Sequence, residues 1–320
     1  MFPVFPVVLS SFGIRHFAES LRATKNMNTS DASTATPAPR SGWLFRIDNR
    51  FLAPVLITCI LAIGDYQYQI LESYGRTAAA IFAAIALELV LGRWDAGRWP
   101  HLASAYITGI SVGILLRSTL WWPFILCSLL SISSKYALRL HGRHLWNPSN
   151  LGMSVLLFFA PNAVASLSQQ WGNDVWPLLV IWLLGGIILY RLGRLHITLT
   201  YVAAFLALSL VRSAWSGDQW INEVAPLTGP MYQLFIFFMI TDPATTTRTW
   251  RRQCLVAALV AVVETILRLN QVIYAPYYAL FIVSPVTNLL EIWWTARQAL
   301  KKGDPAAANA KNVVTELTSN

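Results

Sequence analysis

From Phe51 onward the chain is a succession of apolar runs separated by short polar connections, and few folds tolerate that pattern. The runs are approximately 51–71, 77–92, 102–116, 120–138, 148–168, 175–190, 196–212, 226–241, 254–268 and 273–294. A hydrocarbon core about 30 Å thick takes roughly 20 helical residues, so the shorter runs need tilt or burial among neighbours. A water-soluble domain carries roughly 25% charged residues to keep its surface wet. Here 12% are charged and 55% hydrophobic, with a mean hydropathy of +0.49. That excludes an ordinary cytosolic enzyme, a disordered chain and, despite a net charge of +9, a nucleic-acid binder. The expectation is an all-α polytopic membrane protein with about ten transmembrane helices and the lipid bilayer as its solvent.

Charge placement tests that expectation. With the amino terminus inside, the inner loops and their edges hold ten basic residues: Arg93, Arg98, Lys135, Arg139, Arg143, Arg191, Arg194, Arg248, Arg251 and Arg252. The outer ones hold four, Arg76, Arg117, Arg212 and Arg268, together with the acids Glu72, Asp174, Asp218 and Glu223. An alternating Lys/Arg excess is the positive-inside signature, and it places both termini in the cytoplasm of a bacterial-type inner membrane.

Residues 1–50 read as a cytoplasmic segment. Met1 to Ile14 is apolar but lacks the charged start and small-residue cleavage site of a signal peptide, and Thr29 to Ser41 has the Ser/Thr/Ala/Pro composition of a disordered linker. Residues 295–320 form a cytoplasmic polar tail. Cys59, Cys127 and Cys254 fall in or beside separate apolar runs, without metal-ligand spacing, and read as packing residues.

Ionisable residues inside spans are expensive and so are candidates for an ion or proton path. Asp65, Glu88 and Glu264 qualify, as does Glu291 near an interface. Glu264 stands at i,i+4 to Arg268, where an ion pair accounts for it; Asp65 and Glu88 have no partner legible in the sequence. Two inner segments are richer. In Ser133 to Met153, Asn147 before Pro148 is a helix-start signal, a capping side chain followed by a ring that needs no amide donor. The new helix points free N–H groups and its positive dipole end at this loop, where Lys135, Arg139, His141, Arg143 and His144 surround it; with Gly142 and Asn150 they make an arrangement suited to an anion or cofactor, although a capped helix beside a basic loop needs no ligand. In Thr241 to Arg252, Thr241 and Asp242 close an apolar run before Pro243, with Thr245 following. Thr108, Gly109, Gly113, Gly185 and Gly186 read as packing residues that let helices approach.

In this order the segments resemble the RnfD/NqrB family of membrane subunits from ion-coupled electron-transport complexes. The likeness rests on Ile107-Thr-Gly109, Trp122-Pro123, Lys135, Gly142 to Gly152 around Asn147-Pro148, Leu184-Gly-Gly-Ile-Ile-Leu189, Phe238-Met-Ile-Thr-Asp-Pro243, and a last helix with Pro285 and Asn288. It covers roughly residues 45 to 295. It implies two five-helix repeats in inverted orientation, 51–168 and 175–294, with sites at their interface. It also implies flavin binding, electron exchange with quinone or other membrane or redox subunits, and coupling to Na⁺ or H⁺ movement. The Ser-Gly-Ala-Thr motif of flavinylated members is missing from the sequence. Covalent FMN is therefore not expected, and the cofactor implied is non-covalent FMN or riboflavin. In length and in Gly142 to Asn150 the chain is similar to shorter relatives that accompany natural-product clusters, enediyne pathways included. Three functions follow: a redox-associated membrane subunit, a small-solute transporter or channel, or a membrane helper of a biosynthetic pathway.

Overall fold

The computed structural model describes residues 49–97, 99–140, 143–167, 176–242 and 245–301. The leader and linker, Arg98, His141, Gly142, the 168–175 connection, Pro243 and the tail from 302 lie outside the described residues. The structure is mostly helical, as expected of an all-α protein; its strands are two-residue ladders.

Five helices make up the first half: α1 Asn49–Tyr68, α2 Tyr74–Ala96, α3 Ala103–Leu115, α4 Trp122–Ala137 and α5 Pro148–Phe159. Local chemistry sets their ends. Ser73 caps α2, and Gly97, at φ 67, closes it with an N–H bond to the Arg93 carbonyl, a conformation that needs glycine. Asn147 Oδ1 accepts from the Asn150 amide at 3.0 Å and Pro148 opens α5, as the sequence signal requires. β1 (Leu116–Arg117) after α3 pairs with β4 (Ala165–Ser166) after α5; β2 (Arg139–Leu140) and β3 (Arg143–His144) form a hairpin between α4 and α5.

The second half holds α6 Trp176–Arg191, α7 Leu195–Ser216, a short α8 Trp220–Val224, α9 Pro230–Leu234 running into a π turn Phe235–Met239, α10 Trp250–Leu269 and α11 Ala275–Lys301. Two contacts recur in both halves, α2 on α4 like α7 on α10 and α4 on α5 like α10 on α11, whereas the close α2–α3 packing of the first half has no equal in the second. Close approach depends on glycine at α3, where a Cβ on Gly109 would stand 2.5 Å from the Ile81 Cα. Gly185 likewise faces the Phe237 ring, whereas Gly186 faces open space.

Among the described residues two helices, Tyr74–Asp95 and Leu195–Ser216, are long and apolar enough to cross a membrane, and only 28% and 33% of their apolar windows are buried. They turn their apolar side chains outward. α3, α4 and α5 are shorter than the sequence runs suggested, whereas α10 and α11 extend beyond theirs. α3 has 13 residues and α5 has 12, about 20 and 18 Å at 1.5 Å per residue. The run 148–168 is helical only to Phe159, because the chain turns at Ala160 and enters β4.

Gly152 lets α4 and α5 touch: a Cβ there would lie 2.7 Å from the Cys127 carbonyl and closer still to the Ser131 hydroxyl. Gly152→Val is expected to destabilise the protein by about 1–3 kcal/mol through overpacking, read as a lower thermal midpoint in detergent. An unchanged midpoint would mean that α4 and α5 are not in contact there.

Candidate functional site

A cavity of about 430 Å³ opens where the two halves meet. Its floor comes from the hairpin and the start of α5 (His144, Asn147, Pro148, Ser149) and its far wall from Phe237, Phe238, Met239, Thr241 and Asp242. The two segments singled out in the sequence, 94 positions apart at Asn147 and Thr241, therefore line one space. Asn147 joins them directly. Its Oδ1 caps α5 while its Nδ2 donates to Asp242 Oδ2 at 3.1 Å.

That geometry revises the anion expectation. The N-terminus of α5 is already faced, through Asn147, by the carboxylate of Asp242, an internal anion at the favourable dipole end. Lys135, which lines the cavity, donates to Glu88 at 2.5 Å with both side chains almost fully buried. Tyr136 completes the group, its hydroxyl donating to the other Glu88 oxygen at 3.0 Å. Arg139 points away to a half-exposed pair with Asp95 at 2.7 Å.

The other predicted residues have structural places. Asn150 Nδ2 donates to the Tyr277 carbonyl (3.2 Å), and Thr245 Oγ1 donates to Asp242 Oδ2 (3.3 Å). Neither lines the cavity. His141 and Gly142 lie outside the described residues, and Arg143 is described by its backbone in β3. Asp65, Glu88 and Glu264 belong to three separate groups. Asp65 accepts from the Leu71 amide (2.9 Å) and the Tyr74 hydroxyl, tying α1 to α2. Glu264 takes Arg268 Nε at 3.0 Å, the pair read from the sequence, together with the hydroxyls of Tyr201 and Tyr232. Asp65 and Glu88, solitary in the sequence, are thus partnered in space.

Several cavity residues escaped the sequence reading. Ser104, Thr108 and Ser111 line one side of α3 at i, i+4 and i+7, a polar stripe that helical periodicity makes visible. Thr108 therefore contributes to the wall as well as to packing. The π turn that brings Phe237 to Met239 inward has no sequence signature, and π turns recur at functional sites. His144 offers the cavity an imidazole whose Nδ1 is buried without a hydrogen-bond partner among the described residues. Burial, with Lys135 and Arg139 nearby, lowers its pKa against the opposing pull of Asp242 and Glu88. The folded state then favours neutral imidazole, so this contribution to stability is complete above the ordinary value of about 6.5 and is lost as pH falls below it. His144→Phe is expected to flatten the acid limb of the stability–pH curve between that value and the lower folded one. An unaltered limb would show that His144 titrates normally.

Asn147→Ala removes a cap worth about 1 kcal/mol and the link to Asp242 together. Its expected effect on the thermal midpoint exceeds that of Asn147→Ser, which keeps a capping oxygen and loses the link without adding a charge beside Asp242. Equal midpoints for wild type and Asn147→Ala would remove Asn147 from its role as the joint.

Buried side-chain polar atoms without a hydrogen-bond partner among the described residues include Ser128 Oγ, Asn150 Oδ1 and Asn288 Oδ1, besides His144 Nδ1. Groups of this kind are satisfied by buried water.

No family model matches this chain, and no curated protein is significantly similar to it.

Proposed function

We propose that the protein is a multi-pass bilayer protein of RnfD/NqrB type, whose inter-half cavity holds a non-covalent redox ring, a flavin or a quinone headgroup. The observation that carries this reading is the cavity itself, because it unites the Asn147-Pro148 and Thr241-Asp242 segments on which the family likeness rests. At about 430 Å³ it falls within the ~300–1,000 Å³ range of ligand pockets. Its walls suit a flat ring, with Ile107, Phe237, Phe238 and Met239 for the faces, and Thr108, Ser111 and neutral His144 for ring nitrogens and carbonyls.

A phosphate suits it less. Lys135 is neutralised by Glu88, and Asp242 already stands before the helix end. Riboflavin or a quinone therefore fits better than FMN. Such a ring supplies the electron chemistry when bound; the chain's own residues orient it, solvate its edge and keep water from its faces.

The bilayer setting is supported by exposed aromatic side chains at opposite helix ends. Trp94, Trp99, Tyr190, Trp250 and Trp293 lie at the ends assigned to the cytoplasm; Tyr74, Trp121, Trp176, Trp215 and Trp220 lie at the others. Aromatic belts of this kind mark the two membrane–water interfaces. Contacts respect the same sides: Arg139 with Asp95 and Asn147 with Asp242 on the inner, Arg212 with Glu223 and β1 with β4 on the outer. The equivalent packing of α2–α4–α5 and α7–α10–α11 supports the inverted repeats, and short α3 and α5 fit broken helices whose irregular ends line a cavity.

The test is the visible spectrum of the purified protein, followed by titration with riboflavin, FMN and a short-chain quinone. Binding of a ring, weakened by Phe237→Ala, supports the reading. A colourless protein that quenches none of the three overturns it. A second reading, passage of a small solute, is favoured by the hydroxyl stripe of α3. Solute uptake into vesicles blocked by Ser111→Leu, with no ring bound, would select it.

A further inference from the structure

The segment that enters α10 is pinned to its neighbours on the inner side. Arg194 donates to Thr246 Oγ1 (2.9 Å), Gln253 Nε2 to the Thr247 carbonyl (2.7 Å), and the Arg248 amide to Glu291 Oε1 (3.0 Å). Gln253 Oε1 meets His196 Nε2 at 2.6 Å, and the His196 ring centre lies 5.5 Å from that of Trp250. Backbone and indole are thus held in place.

Two cations on this segment take no part in that scaffold. Elsewhere on the inner side positive charge is used internally: Lys135 pairs with Glu88, Arg139 with Asp95 and Arg252 with Glu291, and Arg297 stacks on Trp293 at 3.9 Å. Arg248 and Arg251 are exposed, and their guanidinium groups have no partner among the described residues. Glu291, the acid that touches this segment, is buried and holds both Arg252 and the Arg248 amide. It offsets Arg252 and leaves two positive charges facing outward, with exposed Trp250 between them.

Below these charges α10 presents an apolar stripe. Leu255, Leu259, Val262 and Ile266 are exposed and follow Arg251 at i+4, i+8, i+11 and i+15, which is one helix face. Gln253, Val256, Ala257 and Val260 fill the buried face. From Arg251 to Ile266 the stripe runs about 22 Å at 1.5 Å per residue, enough to line the ~15 Å hydrocarbon depth of one leaflet.

The geometry points to a site for one anionic phospholipid of the inner leaflet, of the phosphatidylglycerol class. Its phosphodiester sits on Arg248 and Arg251, its glycerol region against Trp250, and its acyl chains along the Leu255–Ile266 stripe. Guanidinium groups bind phosphate oxygens in a bidentate manner, and an indole favours the headgroup level. A zwitterionic lipid brings an ammonium group that two guanidinium groups repel, and free phosphate has no chains for the stripe. The inference uses no residue of the inter-half cavity and shares only the bilayer setting with the proposed function.

The full-length protein, stripped of lipid in mild detergent and titrated with dioleoylphosphatidylglycerol, tests this by native mass spectrometry. Retention of the lipid is expected to be several-fold stronger than that of dioleoylphosphatidylcholine. Arg248→Gln/Arg251→Gln is expected to lower it to the phosphatidylcholine level, and Leu259→Asn, which keeps both arginines, to weaken it. Arg139→Gln/Arg297→Gln removes the same charge from the same side and is expected to change nothing. Inorganic phosphate is expected not to displace the lipid. Equal retention of the two lipids, full retention by the Arg248/Arg251 variant, an equal loss from the Arg139/Arg297 variant, or displacement by phosphate would each overturn the inference. Selective lipid retention by a protein that binds no ring would sink the redox reading and leave this one; ring binding without lipid preference would do the reverse.

Discussion

Lys135→Met is expected to destabilise the protein by about 3–5 kcal/mol, because it leaves the Glu88 carboxylate buried without its cation. The pair is closed at 2.5 Å, with side chains 8% and 7% exposed, and it bolts α2 to α4. Tyr136 alone remains, and one neutral donor cannot replace an ammonium group. The double variant Glu88→Leu/Lys135→Met removes both charges and is expected to recover most of the loss, since an apolar replacement of a buried pair is often neutral. Thermal midpoints in one detergent measure the cycle. A double variant as unstable as the sum of the two singles would show that the side chains act independently, and the bolt would not exist. Asp95→Leu is the control: its pair with Arg139 is 48% and 31% exposed, and such pairs contribute about 0–1 kcal/mol.

Glu264→Leu is expected to cost about as much, again about 3–5 kcal/mol, but in the second half. Glu264 is fully buried and is the common acceptor for Tyr201, Tyr232 and Arg268. Its loss removes the acceptor that both hydroxyls share and leaves the Arg268 charge to the Tyr232 hydroxyl oxygen and to aromatic faces, the guanidinium lying 5.7 Å from the Phe205 ring centre and 5.5 Å from that of Tyr232. Arg212, stacked on Phe205 at 4.5 Å and paired with Glu223 at 2.7 Å, belongs to the same knot. Adding Arg268→Leu restores charge balance and should recover part of the stability; the two tyrosine hydroxyls stay unsatisfied, so recovery is incomplete. A midpoint for Glu264→Leu within experimental error of wild type would show that the knot lies open to water.

These groups also show where sequence reasoning reached its limit. The Glu264–Arg268 pair was legible because i,i+4 spacing on a helix fixes proximity by itself. The start of α5 was legible because Asn147 and Pro148 act on adjacent backbone groups. Glu88 and Lys135 are 47 positions apart, and no local rule places α2 against α4. The same holds for Asp242, where polarity marked the residue without disclosing that its carboxylate would occupy the helix end expected to hold a ligand. Tertiary contact paired the candidate anion-binding groups with one another, and Lys135, Asn147, Thr241 and Asp242 line the cavity beside His144 and the π turn.

What the sequence marked by itself was which stretches are apolar and where local capping signals start a helix. Both depend on transfer free energies and backbone geometry within a few residues. Only the tertiary structure decided that apolar runs of similar composition become long outward-facing helices at α2 and α7 but short buried ones at α3 and α5. It also decided which polar groups found partners across the halves, because burial and hydrogen-bond satisfaction belong to pairs of surfaces brought together and not to any one segment.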